Sequence, residues 1–183
     1  MACNITAGRL EGCKDAVGGL NAIYFVNFGA MGDLTISDET VTGIAATTPD
    51  AFKYDLRGTS TFDQSLTSSR DNGTTFAEQT LTVSLKKQDA TTHKEVKLLA
   101  YGRPQVAVVD NNGNAFLMGL VHGADAAGGT ISTGNLMGDQ SGYSLTMTAQ
   151  EALPANFIDG ATLANPFIGL ASATETIVVG TNS

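Results

Sequence analysis

Asp110-Asn111-Asn112-Gly113-Asn114 comes nearest to chemistry, because it sets oxygen-bearing side chains at alternate positions as a calcium loop does. A loop of that kind needs glycine at its sixth place and a bidentate glutamate at its twelfth. Here the glycine is fourth and the twelfth residue is Val121. Asn-Gly between two apolar runs is instead the strongest short-range signal for a hairpin turn, so the spacing predicts a turn and no metal site.

The other candidates weaken in the same way. His122, in "LVHGAD", lies near Asp125, and such a pair could orient a nucleophile, but no Ser or Cys stands in an activating context. His93 falls on the first turn of a predicted helix and reads as a solvated surface residue. No GxxxxGK[ST] or GxGxxG occurs, and "GADAAGG" lacks the lysine that would hold phosphates. The carboxylates are scattered without the pairing of a glycosidase. With no Trp, eight Phe and four Tyr, a carbohydrate-binding groove lined by aromatics is the poorest reading. Asn4-Ile5-Thr6 and Asn72-Gly73-Thr74 are glycosylation triplets by pattern only. The expectation is therefore a protein that is not an enzyme, with no catalytic, cofactor-binding or metal-ligating residue and no cofactor.

What, then, do the elements position? The chain has 183 residues, enough for one domain with a sizeable core. Its 15% of charged residues is low, and 21 glycines and 23 threonines make up the difference. Thr favours strands and Gly favours turns and bulges, so the composition is that of an all-β protein. "LNAIYFVNF", Leu20–Phe28, is continuously apolar and predicts a strand buried on both faces. "LTIS" and "TVTGI" predict a hairpin around Asp38-Glu39.

Two long strands are expected over 52–67 and 74–87, joined by an exposed polar tip, Ser68–Thr75. The first alternates Tyr54, Leu56, Phe62 and Leu66 against a fully polar face, as an antiparallel sheet does when one side meets water. Such strands are longer than a small sandwich needs, so the hairpin is expected to project or bend. Thr92 with Glu95 reads as a capping box, Val96, Leu99 and Ala100 as an apolar stripe, and Gly102 as the stop, giving a helix over 92–101. "QVAVVD" and "NAFLMGL" flank the Asn-Gly turn, and "GYSLTMTAQE" alternates as a strand.

The fold expected is an all-β sandwich or partly closed barrel of seven to nine strands, with one short flanking helix, a long projecting hairpin and extended arms at both termini. Residues 1–183 form a single domain in this reading: an N-terminal arm over 1–19, a core over 20–158 containing the hairpin 52–87, and a C-terminal arm over 159–183. That last arm lies on a neighbour or on its own domain.

Net charge is −8, and all ten Lys and Arg lie between Arg9 and Arg103. From Pro104 onward there are six carboxylates (Asp110, Asp125, Asp139, Glu151, Asp159 and Glu175) and no cation. Nucleic-acid affinity comes mainly from cations that displace phosphate counterions, so tight or specific DNA binding is not expected. Lys86, Lys87, Lys94, Lys97 and Arg103 cluster at the end of the second long strand and on the helix. They are either a solvated face or a basic patch that meets the acidic half of another copy, giving head-to-tail register. Cys3 and Cys13 read as free thiols, with a short local disulfide as the alternative. No apolar run resembling a signal peptide opens the chain and no segment approaches the ~18 apolar residues of a membrane span, so the expectation is a soluble protein made in the cytoplasm with no membrane partner.

"SSRDNGTTFAEQTLTVSLKK", "KLLAYGRPQVAVVDNNGNAFLMGLVHGADAAGG" and "MGDQSGYSLTMTAQEALPANFI" resemble structural proteins of tailed bacteriophages, particularly those of Bacteroidetes hosts, over roughly Phe52 to Ile158. The order of elements resembles the tail tube (major tail protein) family. That resemblance implies a homohexameric ring that stacks into a tube in the virion tail, DNA passing through without tight binding, and contacts with other tail or head-completion proteins. The secreted tube protein of type VI systems has a similar fold. A capsid auxiliary or decoration protein is the alternative. Under the tube reading, Arg70, Asp71 and Asn72 of the hairpin tip, with Lys86, Lys87, Lys94, Lys97 and Arg103, are the candidate assembly residues.

Overall fold

Twelve strands and one helix make up the regular structure in a computed structural model, which describes residues 5, 7–45, 49–170 and 176–180. Cys3 and the Asn4-Ile5-Thr6 triplet fall at least partly outside those residues; Cys13 is described, exposed and free. The strands form two sheets and no closed barrel. In the larger, eight-stranded sheet the order is β12 (Thr176–Val179), β4 (Asp50–Asp55), β1 (Leu20–Val26), β7 (Gln105–Asp110), β8 (Ala115–Met118), β11 (Asn156–Ile158), β3 (Thr40–Ile44) and β2 (Leu34–Ser37). The smaller, four-stranded sheet runs β5 (Thr61–Ser69), β6 (Thr74–Lys86), β10 (Gly142–Glu151) and β9 (Asp125–Ser132).

β1 and β7 are buried on both faces, which explains their uninterrupted apolar sequence. One face packs Ile23, Phe25, Val106, Val108 and Met118 against Leu81, Val83, Leu145 and Met147 of the smaller sheet. The opposite face carries Tyr24, Val26, Ala107, Val109 and Leu117, and it is covered by Met31, Ile44, Phe167 and Leu170. The region expected as a C-terminal arm therefore supplies core. Phe167 meets Tyr24 edge-on at 6.1 Å, the Tyr24 hydroxyl donates to the Ala164 carbonyl at 2.9 Å, and β12 pairs in parallel with β4 of its own chain. Burial pushes the Tyr24 phenol above its ordinary range, with Lys53 partly opposing. In the N-terminal segment, Asn112 accepts from the Val17 amide and donates to the Val17 carbonyl, both at 2.8 Å, tying the segment to the β7–β8 turn.

The strand expected over 52–67 is two strands in two sheets. β4 ends at Asp55, and the chain crosses between sheets at Leu56–Ser60, where Gly58 takes φ +142°. β6 is the longest strand, but β10 pairs with it from Lys86 to Ala77, so only the hairpin beyond Ala77 overruns the sheet, by about 10 Å. The β2–β3 hairpin turns at Asp38 and Glu39, with φ 48° and 60°, as a two-residue turn of the primed type requires. The helix, α1, spans Ala90–Tyr101 and its cap is Asp89, not Thr92. The Asp89 carboxylate accepts from the Thr92 amide at 2.8 Å and from the Thr92 hydroxyl, so Thr92 is the third helical residue and serves as donor. These bonds from Thr92, hydroxyl first and amide second, hold the Asp89 carboxyl below its usual range.

Candidate functional site

The four-stranded sheet has an inner face that is core and an outer face that is bare. Cross-strand register sets Thr61, Thr82, Thr146 and Gly128 in one outward rung, and Asp63, Thr80, Thr148 and Asp125 in the next. Ser65, Glu78 and Gln150 form a third. Alternation alone puts these polar residues on one side, because side chains on a strand point to opposite faces with period two. The result is a plane of hydroxyls with carboxylates among them. Across all four strands the single cation is Lys86, at the rim.

Both edges of this sheet are unpaired. Among the described residues β5 and β9 each have one strand neighbour, leaving one side of each backbone without a strand partner, although α1 lies against β9. Soluble proteins guard such edges with Lys, Pro or inward charges. β5 reads TFDQSLTSS and β9 reads DAAGGTIS, with no Lys or Pro in either, though β9 has a register shift near Ala127. Of the two long hairpin strands, only β5 is left unpaired, since β6 is satisfied on both sides by β5 and β10.

The candidate assembly residues do not form one cluster: they fall at the two ends of the β5–β6 hairpin, on α1 and beside Phe28. Arg70, Asp71 and Asn72 are exposed together at the tip, where the Asn72 amide donates to the Ser69 hydroxyl at 3.3 Å. Lys86 and Lys87 lie at the far end of β6, about 40 Å away. Lys94 and Lys97 are exposed on α1. Arg103 is separate from both groups, its guanidinium carbon 4.1 Å from the centroid of the Phe28 ring. Among the described residues, none of these cations is in a salt bridge.

His122 does not pair with Asp125. Its Nδ1 lies 3.0 Å from Glu151 Oε2, while Glu151 Oε1 accepts from the amides of Val121 and His122 at 2.8 Å each. This buried carboxylate pins the β8–β9 connection to the end of β10. Only the fold brings 122 and 151 together. His93, exposed on α1, has its ring 6.2 Å from that of Tyr143. In the 110–114 turn, the Asp110 carboxylate accepts from the amides and side-chain nitrogens of Asn112 and Asn114, at 2.8 to 3.2 Å. Its oxygens serve the turn and are not presented to an ion. Among the described residues no group of three or more His, Cys, Asp or Glu could hold a metal. None of their helices is long and apolar enough to cross a membrane.

Partial burial pushes the Asp110 carboxyl up, but the hydrogen bonds from Asn114 and Asn112 outweigh it and leave the group below its ordinary value. A depressed folded-state value contributes stability that is present above the unfolded value and is lost as pH falls through the folded one. Asp110→Asn is expected to lower the melting temperature at pH 7. It should also flatten the loss of stability as pH falls below the ordinary carboxylate range, about pH 4, as read by thermal melts at successively lower pH. An unchanged acid limb would contradict the account.

The fold and this surface define a class: an all-β, two-sheet protein with an open-edged sheet and a hydroxyl-rich outer face. No protein-family model, curated protein or solved structure matches the chain.

Proposed function

We propose that the chain is a structural protein that joins copies of itself edge to edge into rings, and that the rings stack as the tail tube of a bacteriophage. One observation carries this reading: among the described residues the smaller sheet has two edge strands with no further strand partner, β5 and β9, on opposite sides, with α1 lying against β9. Its strands are antiparallel throughout, and there are four of them. With an even number, β5 and β9 run in opposite directions. Identically oriented copies can therefore join β5 to the next copy's β9 and continue the antiparallel ladder across the junction. Such a contact is heterologous and gives a ring when the rotation closes. Sheet twist and curvature between copies would supply that rotation.

The outer face suits the interior of a DNA conduit. Hydroxyls and carboxylates present no cations to displace phosphate counterions, so the cargo is not held. The sequence resemblance supplies the hexameric stoichiometry, the tail as the location and the neighbouring tail or head-completion proteins. Negative-stain microscopy of the purified protein tests the reading: stacked rings are expected. Monomers or compact trimers without rings would overturn it and fit a capsid-exterior protein instead. The conduit face has its own test. The wild-type protein is expected to leave duplex DNA unshifted in a gel at physiological salt. Thr80→Lys with Thr148→Lys, on adjacent strands, is expected to produce retardation that steepens with falling salt, about 0.9 in log–log slope per phosphate neutralised. Wild-type DNA binding of comparable strength would contradict the assignment of that face.

A further inference from the structure

The chain has two Asn-Gly pairs, Asn72-Gly73 and Asn112-Gly113, and the fold treats them differently. Asparagine before glycine is chemically labile in water. The glycine nitrogen can attack the asparagine side-chain carbonyl carbon, and glycine brings no side chain to block the approach. Both pairs occupy hairpin turns, β5–β6 and β7–β8, and both glycines sit at positive φ, +64° and +88°. Both asparagines are exposed. Residue type, backbone and access to solvent therefore do not separate them.

Hydrogen bonding does. Asn112 is held at both polar atoms of its side chain. Its Oδ1 accepts from the Val17 amide at 2.8 Å, and its Nδ2 donates to the Val17 carbonyl at 2.8 Å and to Asp110 Oδ2 at 3.2 Å. The Asn112 amide donates to Asp110 Oδ1 at 2.9 Å, and the Gly113 amide, which would be the nucleophile, donates to the Asp110 carbonyl at 3.4 Å. Ring closure must swing the side chain out of these bonds, and giving up two or three of them slows the step about tenfold or more. The hairpin tip offers no such restraint. The Asn72 side chain has no hydrogen-bond partner among the described residues; only its backbone amide is engaged, donating to the Ser69 hydroxyl at 3.3 Å. The space beside Gly73 is open, since a Cβ built there meets nothing within 4 Å.

We infer that Asn72 is a site of spontaneous deamidation in the folded protein, and that Val17 and Asp110 protect Asn112 from the same reaction. The Gly73 nitrogen bonds to Asn72 Cγ, the Cγ–Nδ2 bond breaks, and ammonia leaves with the Gly73 amide proton, giving a cyclic imide. Water then opens the imide at either carbonyl. One opening gives aspartate. The other gives isoaspartate, whose main chain runs through Cβ and Cγ of residue 72 and is lengthened there. No electrons are transferred, and water is the one co-reactant. Either product sets a new carboxylate next to that of Asp71, and the chemistry needs no second copy of the chain.

The test is incubation of the dilute full-length protein at physiological temperature and mildly alkaline pH, with peptide mass spectrometry reading amide-to-acid conversion at each asparagine. Asn72 is expected to convert at least about tenfold faster than Asn112. In guanidinium chloride, where Asn112 loses its contacts, the two rates are expected to converge. Asn72→Gln, which would have to close a larger and slower ring, is expected to melt as the wild type does. It should also stop the growth of the more acidic form that ion-exchange chromatography separates. Asn72 retained as long as Asn112 in the folded protein would overturn the assignment. A gap of the same size in guanidinium chloride would remove the fold as its cause and overturn the protection of Asn112. Acidic form growing at the wild-type rate in Asn72→Gln would place the chemistry elsewhere and overturn it as well.

Discussion

Gly142→Ala is expected to cost about 3 kcal/mol or more and to lower the melting temperature by roughly 6–12 °C. Gly142 opens β10 and pairs with Lys86 on one side and Ser132 on the other. A Cβ built there would lie 2.0 Å from the Leu85 carbonyl oxygen, 3.0 Å from its carbon and 3.1 Å from Lys86 Cα. All three are backbone atoms of β6, so no flexible side chain can swing away. The strands must separate where the sheet's longest ladder begins, and they must do so above Leu145 and Met147 in the core. Gly128→Ala is the control, because a Cβ on that β9 glycine meets nothing within 4 Å. It is expected to leave the melting temperature unchanged or slightly raised, since alanine restricts the unfolded chain. A Gly142→Ala protein melting within about 2 °C of wild type would refute the steric account.

Replacing residues 68–75 with Asn-Gly is expected to have the largest effect on assembly and little on folding. Thr67 and Phe76 are cross-strand partners, so a two-residue turn of the primed type joins them without changing register. The excised tip contributes only local bonds: Ser68 and Thr75 hydroxyls at 3.0 Å, and the Asn72 amide to Ser69. β10 pairs no further along β6 than Ala77, so the sandwich does not depend on what is removed. The deletion shortens the open edge of β5 and takes away Arg70, Asp71 and Asn72. The expected product is a folded monomer, unchanged within a few degrees in its melt, that builds no tubes. Tubes of normal length from this variant would remove the hairpin from the assembly account.

The long first strand shows why one expectation went astray. Tyr54, Leu56, Phe62 and Leu66 keep one parity through a point where the chain changes sheets. Two facing sheets share an interior, so Tyr54 on β4 and Phe62 on β5 both turn toward the same cluster, and the period-two pattern persists across the crossing. The local mark of the break is Gly58, and a glycine in a strand pattern fits a bulge equally well. The helix start was misplaced for a similar reason: Thr92 and Asp89 are both good caps by type. The carboxylate that accepts, with the hydroxyl as donor, is visible only in the contact.

Other contacts were beyond local reading. Gln79 looks like an ordinary polar residue in a strand, yet it is fully buried, with Oε1 accepting from the Gly119 amide at 3.1 Å. Glu151 likewise receives the Val121 and His122 amides from a distant loop. Neither partner is signalled by spacing, because the loops that meet them come from the other sheet.

By itself the sequence determined the all-β class, the doubly buried β1, the Asp38-Glu39 and Asn-Gly hairpin turns and the absence of cations after Arg103. Each follows from period, turn chemistry or composition, which are properties of neighbouring residues and of simple counts. The tertiary structure alone decided which strands share a sheet, that Phe167 and Leu170 complete the core, and that β5 and β9 are the edge strands of the smaller sheet. Pairing between strands far apart in the chain depends on how distant segments meet, and no local pattern encodes that.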